Sequence, residues 1–182
     1  SRTAMALITE AGGKAHLWKT GHSHMKAKLR EMQAPLAGEM SGHIFIADDY
    51  YGFDDALFVA VRLITSMVRR KQETGKTLTD FIDTLPAIFA TPECHIPCAD
   101  DKKFGVIETL AQAFSNALPA KQINLTDGVR ITTEAGWCLI RASNTEGALV
   151  VRAEGQDAES LAGFITLIKT QLAKAGLVWD GP

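Results

Sequence analysis

Residues 34–46 read Ala34-Pro35-Leu36-Ala37-Gly38-Glu39-Met40-Ser41-Gly42-His43-Ile44-Phe45-Ile46. A short apolar run, a polar segment bounded by glycines and a β-branched and aromatic run together predict a loop at a strand end, where α/β sheets usually bind ligands. Ionised Glu39 only accepts hydrogen bonds, whereas Ser41 and His43 both donate and accept, so the three suit the mixed hydroxyls of a sugar. An ordinary glycine turn with a solvated Glu39 and Ser41 would carry the same residues, and a short motif does not choose between the two.

Upstream of this loop, Arg2 to Ala11 has helical character with Met5, Leu7 and Ile8 apolar, and Gly12-Gly13 stops it. Ala15 to Trp18 reads as a short strand. Thr20-Gly21-His22-Ser23 is a turn before a helix from His24 to Met32, whose Lys26, Lys28 and Arg30 read as a solvated face. Downstream, Asp54 or Asp55 is placed to cap a long helix running to about Thr74 and closed by Gly75. Its Leu57, Val61, Ile64 and Val68 recur at helical spacing and predict one buried face. Thr77 opens a short helix, with Asp80 in the capping-box position and Pro86 at its end. This alternation of helix and strand predicts a three-layer α/β/α domain. Such a sheet ordinarily begins with a strand, and none precedes Arg2, so the domain is expected to be incomplete.

The stretch Pro86 to Pro97 contains Pro86, Pro92 and Pro97 and marks a domain boundary, dividing the chain into residues 1–88 and 89–182. Beyond it, a strand reaches Cys98 and a helix spans about Asp101 to Leu118, with Phe104, Ile107, Leu110, Phe114 and Leu118 on its inner side. Strands follow at Gln122 to Thr126, Val129 to Thr133, Trp137 to Arg141 and Ala148 to Ala153, and a helix from Asp157 to Ala175 closes the chain. The Asp127-Gly128 and Ala135-Gly136 breaks suit hairpins, so this second domain is expected to be small, mostly antiparallel and α+β. Trp137 and Phe45 are assigned to the core rather than to sugar stacking.

Between the last two strands lies Arg141-Ala142-Ser143-Asn144-Thr145-Glu146-Gly147. A guanidinium, two hydroxyls and an amide, with the backbone N–H groups of a tight loop, fit a phosphate. A polar hairpin whose Ser, Asn and Thr bond their own backbone would look the same in sequence.

Composition narrows the partners. A net charge of -2 and a pI near 6.2 provide no basic field for nucleic acid. No run approaches the roughly 20 apolar residues of a membrane span. The three cysteines Cys94, Cys98 and Cys138 suggest reduced thiols and a cytoplasmic setting. Cys94-His95-x-x-Cys98 has metal-ligand composition, but in an extended segment residues four apart are separated by about 13 Å, so no metal site is assigned.

Taken together, Trp18-Lys19-Thr20-Gly21-His22-Ser23, Gly38–His43, the aspartate pair after Tyr51-Gly52-Phe53, Asp127-Gly128-Val129-Arg130 and Arg141–Thr145 occur in the order of a known family. The chain resembles the C-terminal portion of the α-D-phosphohexomutases, most of their domain 3 and all of domain 4. The resemblance implies that Glu39 and Ser41 bind sugar hydroxyls, that His43 lies beside the reacting centre and that His22 contacts substrate. It implies that Arg141, Ser143, Asn144 and Thr145 grip the phosphate that is not transferred. The family interconverts hexose 1- and 6-phosphates through a bisphosphate, and its phosphoserine and Mg²⁺ belong to the first two domains, so this segment alone is expected to be inactive. The implied partners are a hexose phosphate and those N-terminal domains, with rotation about the 86–97 linker opening and closing the cleft. Asp48-Asp49 and Asp54-Asp55 are read as a turn and a helix cap rather than Mg²⁺ ligands. Gly147 stands where relatives usually have proline. Mannose, glucose and glucosamine remain open as the hexose, with the Gly38–His43 form leaning towards mannose/glucose. A stand-alone sugar-phosphate-binding module without catalysis, and a structural or regulatory α/β protein, are the alternatives.

Overall fold

The computed structural model describes residues 1–182, which divide into two compact units, His16–Pro86 and a second comprising Ser1–Ala15 with Ala87–Pro182. The elements in chain order are helix α1 (Arg2–Glu10), α2 (His22–Glu31), the hairpin β1 (Leu36–Gly38) and β2 (Ile44–Ile46), α3 (Ala56–Thr74) and α4 (Leu78–Ile82). There follow β3 (Phe89–Ala90), β4 (Cys94–Pro97), α5 (Lys103–Ala117), β5 (Ile123–Asn124), β6 (Val129–Thr133), β7 (Gly136–Ala142), β8 (Ala148–Gly155) and α6 (Ala158–Lys174). The architecture is thus α/β followed by an α+β unit with an antiparallel sheet. Helix α1, which the sequence-based division places with residues up to 88, groups with the C-terminal unit, where the Arg2 guanidinium donates to the Glu134 carbonyl at 2.7 Å.

Local hydrogen bonds set the helix ends. The Asp55 carboxylate accepts from the Phe58 N–H at 3.0 Å at the start of α3, and Gly75 closes that helix in the left-handed conformation. The Thr77 hydroxyl and the Asp80 carboxylate form a reciprocal capping box on α4, and Asp157 accepts from the Ser160 N–H at the start of α6. Backbone N–H donors hold the Asp55, Asp80 and Asp157 carboxyls below the usual carboxylate range.

In the C-terminal unit the strand order is β3-β8-β7-β6-β5, with β4 also paired to β8. The register aligns Ile131, Cys138 and Ala153 across three strands, and likewise Val129, Ile140 and Val151. Because side chains alternate across a strand, these residues share one face. That face packs on Leu110 and Phe114 of α5 and Phe164, Ile168 and Leu172 of α6, forming the main core. The opposite face carries Arg130, Leu139 and Arg152 in register, with the Arg130 guanidinium 3.9 Å from the Trp137 ring centre.

Three expectations fail. Ala15 to Trp18 is not a strand. Phe104, in the first turn of α5, is 61% exposed instead of inward-facing. The apolar stripe of α3 is open: Leu57, Val61, Ile64 and Val68 are all more than half exposed, and the helix has no buried residue. The reason is dimensional. A helix of 19 residues is about 28 Å long, whereas the three-residue strands β1 and β2 reach about 10 Å each, too little surface to cover it. Phe45, fully buried at the middle of β2, and Leu29 of α2 are the buried hydrophobic side chains of this unit.

Candidate functional site

In the first unit the hairpin places its polar loop by backbone pairing. Gly38 pairs with Ile44, the Glu39 N–H donates to the His43 carbonyl at 2.8 Å, and the Gly42 N–H donates to the Glu39 carbonyl at 3.1 Å. Gly42 takes a φ of +94°, which a side-chain-bearing residue rarely adopts. The loop is therefore a closed turn with Ser41 exposed at its tip.

Two contacts tie this turn to distant parts of the chain. The Glu39 carboxylate accepts from the Gly21 N–H at 2.5 Å, and Gly21 is the N-cap of α2, which lacks a side-chain cap. An anion there satisfies an orphan donor and sits at the positive end of the helix dipole. His22, the first residue of α2, is thereby brought beside His43, with ring centroids 6.4 Å apart. The second contact joins His43 Nδ1 to Asp54 Oδ2 at 2.7 Å. A carboxylate partner fixes Nδ1 as the protonated nitrogen, so Nε2 is the nitrogen left to exchange a proton or hydrogen bond with a ligand. Neighbouring Asp55 points elsewhere: it caps α3 and accepts from the Tyr50 hydroxyl at 2.6 Å. The structure thus gathers Glu39, His22 and His43 of the expected set and adds Asp54, which the sequence presented only as half of a capping pair.

In the C-terminal unit the second loop joins β7 to β8. Arg141 and Ser143 are buried, at 9% and 4% exposure, while Asn144 and Thr145 are exposed. The loop's own geometry differs from expectation. The Thr145 and Glu146 N–H groups donate to the Ser143 hydroxyl oxygen, at 3.4 and 3.2 Å. These two backbone donors are engaged inside the turn, as serine commonly does, and are not spare for an anion. What the turn leaves outward is the pair of side chains Asn144 and Thr145.

Three further features hold this loop. Gly128 lies against its root: a Cβ there would come 2.3 Å from the Ile140 carbonyl oxygen and 2.6 Å from Arg141 Cα, so only glycine fits. The Lys103 ammonium donates to the carbonyls of Ser143 at 2.8 Å and Glu146 at 3.0 Å and to Asp100 at 2.6 Å. His95 of β4 contacts the Glu146 carboxylate at 2.8 Å through Nδ1, and Glu93 at 3.4 Å through Nε2. The Glu146 carboxylate pushes the His95 pKa above its ordinary value, with Glu93 adding to it. None of these contacts was legible beforehand. They span 40 to 51 positions of sequence for Lys103–Ser143 and His95–Glu146, with no motif joining them.

No group of three or more His, Cys, Asp or Glu side chains comes together to hold a metal ion. Asp54 bonds His43, and Asp55 accepts from the Phe58 N–H as the cap of α3. The segment with Cys94 is a strand, in which Cys94 pairs with Val151, while Cys98 lies in the core. All three cysteines are free thiols. No helix is long and apolar enough to cross a membrane.

Comparison with known proteins places these loops in context. Residues 1–89 match the family model described as phosphoglucomutase/phosphomannomutase, alpha/beta/alpha domain III, and residues 93–169 match that of the C-terminal domain. A phosphomannomutase/phosphoglucomutase from Pseudomonas aeruginosa is 38% identical over 172 residues, covering 94% of this chain and 36% of that protein. A phosphoglucomutase from Neisseria gonorrhoeae is 34% identical over 174 residues, again covering 94% of this chain and 36% of that protein. A phosphoglucosamine mutase from Methanococcus maripaludis is 31% identical, over 92% of this chain and 37% of that protein. The crystal structure of a phosphoglucomutase/phosphomannomutase family protein from Burkholderia thailandensis superposes with a TM-score of 0.83 and 34% identity, covering 98% of this chain and 37% of that one. The chain thus spans little more than a third of the length of these relatives. With two consecutive domain models matched in family order and the fold of a solved member shared over 98% of this chain, this chain belongs to the phosphoglucomutase/phosphomannomutase family.

Proposed function

We propose that the chain is the sugar- and phosphate-binding C-terminal part of a mutase interconverting hexose 1-phosphate and hexose 6-phosphate, of mannose or glucose, through a bisphosphate intermediate. The observation that carries this reading is the pairing of Glu39 with the Gly21 N–H and of His43 with Asp54. Together they fix a carboxylate and an oriented imidazole on the turn that carries the exposed Ser41 at its tip. In this reading Glu39, Ser41 and His22 bind ring hydroxyls, and His43 Nε2 holds or releases the proton of the hydroxyl that exchanges a phosphoryl group. Arg141, Ser143, Asn144 and Thr145 form the clamp for the idle phosphate. With the Thr145 and Glu146 N–H groups engaged inward on the Ser143 oxygen, the clamp is made by side chains: the Arg141 guanidinium, the Ser143 O–H, Asn144 and Thr145. Phosphoryl transfer is catalysed mainly by positioning and charge stabilisation, and a bisphosphate that must reorient needs one hold on its ring and one on its spectator phosphate.

The serine that carries the phosphoryl group and the Mg²⁺ belong, in this proposal, to N-terminal domains of the same cytoplasmic enzyme, and this segment alone is inactive. The test is Arg141→Ala in the full-length enzyme, measuring the apparent affinity for mannose 1-phosphate. One charge-assisted hydrogen bond contributes about 1.5–3 kcal/mol, so affinity should fall roughly ten- to a hundredfold. An unchanged affinity removes the clamp.

A further inference from the structure

We propose that Lys103 is a positioning residue for phosphate recognition, an ammonium built beneath the β7–β8 loop to hold its backbone in the binding shape. The proposal rests on the reading of Arg141–Thr145 as a phosphate clamp. Lys103 opens α5 yet is only 6% exposed, among the few buried charged side chains of the chain. Burying an ammonium is costly unless each of its donors is matched. It has three N–H donors and meets three acceptors, the Ser143 and Glu146 carbonyls and the Asp100 carboxylate. Asp100 is 75% exposed and shares its charge with solvent, so the two loop carbonyls are the acceptors that water does not replace.

Those carbonyls stand at the two ends of the turn that displays Asn144 and Thr145. From inside, Ser143 Oγ accepts from the Thr145 and Glu146 N–H groups at 3.4 and 3.2 Å, at and beyond the long end of the usual range, and the base of the turn is closed by Ser143 N–H to the Ala148 carbonyl and Ala148 N–H to the Glu146 carbonyl, both at 2.9 Å. The ammonium draws the Ser143 and Glu146 carbonyls together from the other side and so sets the shape of the turn that presents Asn144 and Thr145. A group acting this way never touches phosphate. Its removal loosens the clamp equally for ground state and transition state, a loss of uniform binding that raises KM and leaves kcat unchanged.

The experiment uses Lys103→Met and Lys103→Gln in the full-length enzyme, with glucose 1-phosphate as substrate and thermal melting alongside. The expected result is a KM raised about tenfold, the equivalent of one charge-assisted hydrogen bond of loop order, with kcat within about twofold of the parent. Lys103→Gln keeps two N–H donors, so it decides the matter if the methionine variant does not fold. A lowered melting temperature with KM unmoved in Lys103→Gln assigns Lys103 to stability alone and overturns the proposal. Arg141→Ala in the same assay separates the two ideas. If KM moves for Arg141→Ala but not for Lys103→Gln, only the role of Lys103 falls; if it moves for neither, the clamp itself falls.

Discussion

Replacing Gly128 with alanine tests the packing behind Arg141 with a single methyl group. Gly128 has a φ of +74°, and the added Cβ would lie 2.3 Å from the Ile140 carbonyl oxygen, 2.6 Å from Arg141 Cα and 2.7 Å from Arg141 Cβ. The left-handed conformation costs a non-glycine residue about 1 kcal/mol. The overlap is with main chain of the central strand β7, which cannot swing aside as a side chain would, and forcing such a shift costs about 1–3 kcal/mol more. The expected loss is about 2–4 kcal/mol, measured as the fall in urea midpoint at unchanged slope. Gly163→Ala is the control. It lies inside α6 with nothing within 4 Å of the added Cβ, so the same chemical change should stabilise by about 0.5–1 kcal/mol through helix propensity. Opposite signs for one substitution cannot come from composition. A Gly128→Ala loss below about 1 kcal/mol, or two variants of equal stability, would refute the reasoning about close approach at Arg141.

Two other outcomes follow from the structure. The His95 pKa is raised chiefly by Glu146 from an ordinary value of 6.5, so the pair's contribution to stability is complete below that value and is lost as pH rises through the higher folded pKa. The stability difference between the parent and Glu146→Gln should therefore shrink with rising pH, and a difference that grows would contradict the assignment. In the 182-residue chain, Leu57→Ser should change stability by no more than about 0.5 kcal/mol because Leu57 is 83% exposed. Ile168→Ala, at a fully buried position, should cost about 3 kcal/mol, and chemical denaturation of the two variants side by side checks the contrast.

The sequence by itself determined what depends on neighbours a few residues apart. Thr77 with Asp80 and Gly75 bound their helices as their local spacing requires, and the Asp54-Asp55 pair marks the start of α3, because a cap reaches only two or three positions along the chain. The Asp127-Gly128 and Ala135-Gly136 breaks likewise announced a mostly antiparallel sheet. The periodicity of Leu57, Val61, Ile64 and Val68 identified the helix, but the buried face read from it is open, since a stripe records direction and not the presence of a partner surface. Only the tertiary structure decided that Glu39 caps α2 across 18 positions, that His43 is oriented by Asp54 across 11, and that Lys103 sits beneath Ser143 across 40. Such contacts are set by the path of the folded chain. Many residue types can supply a carboxylate or an ammonium, and which one arrives at the loop depends on how strands and helices pack, which no short window of sequence records.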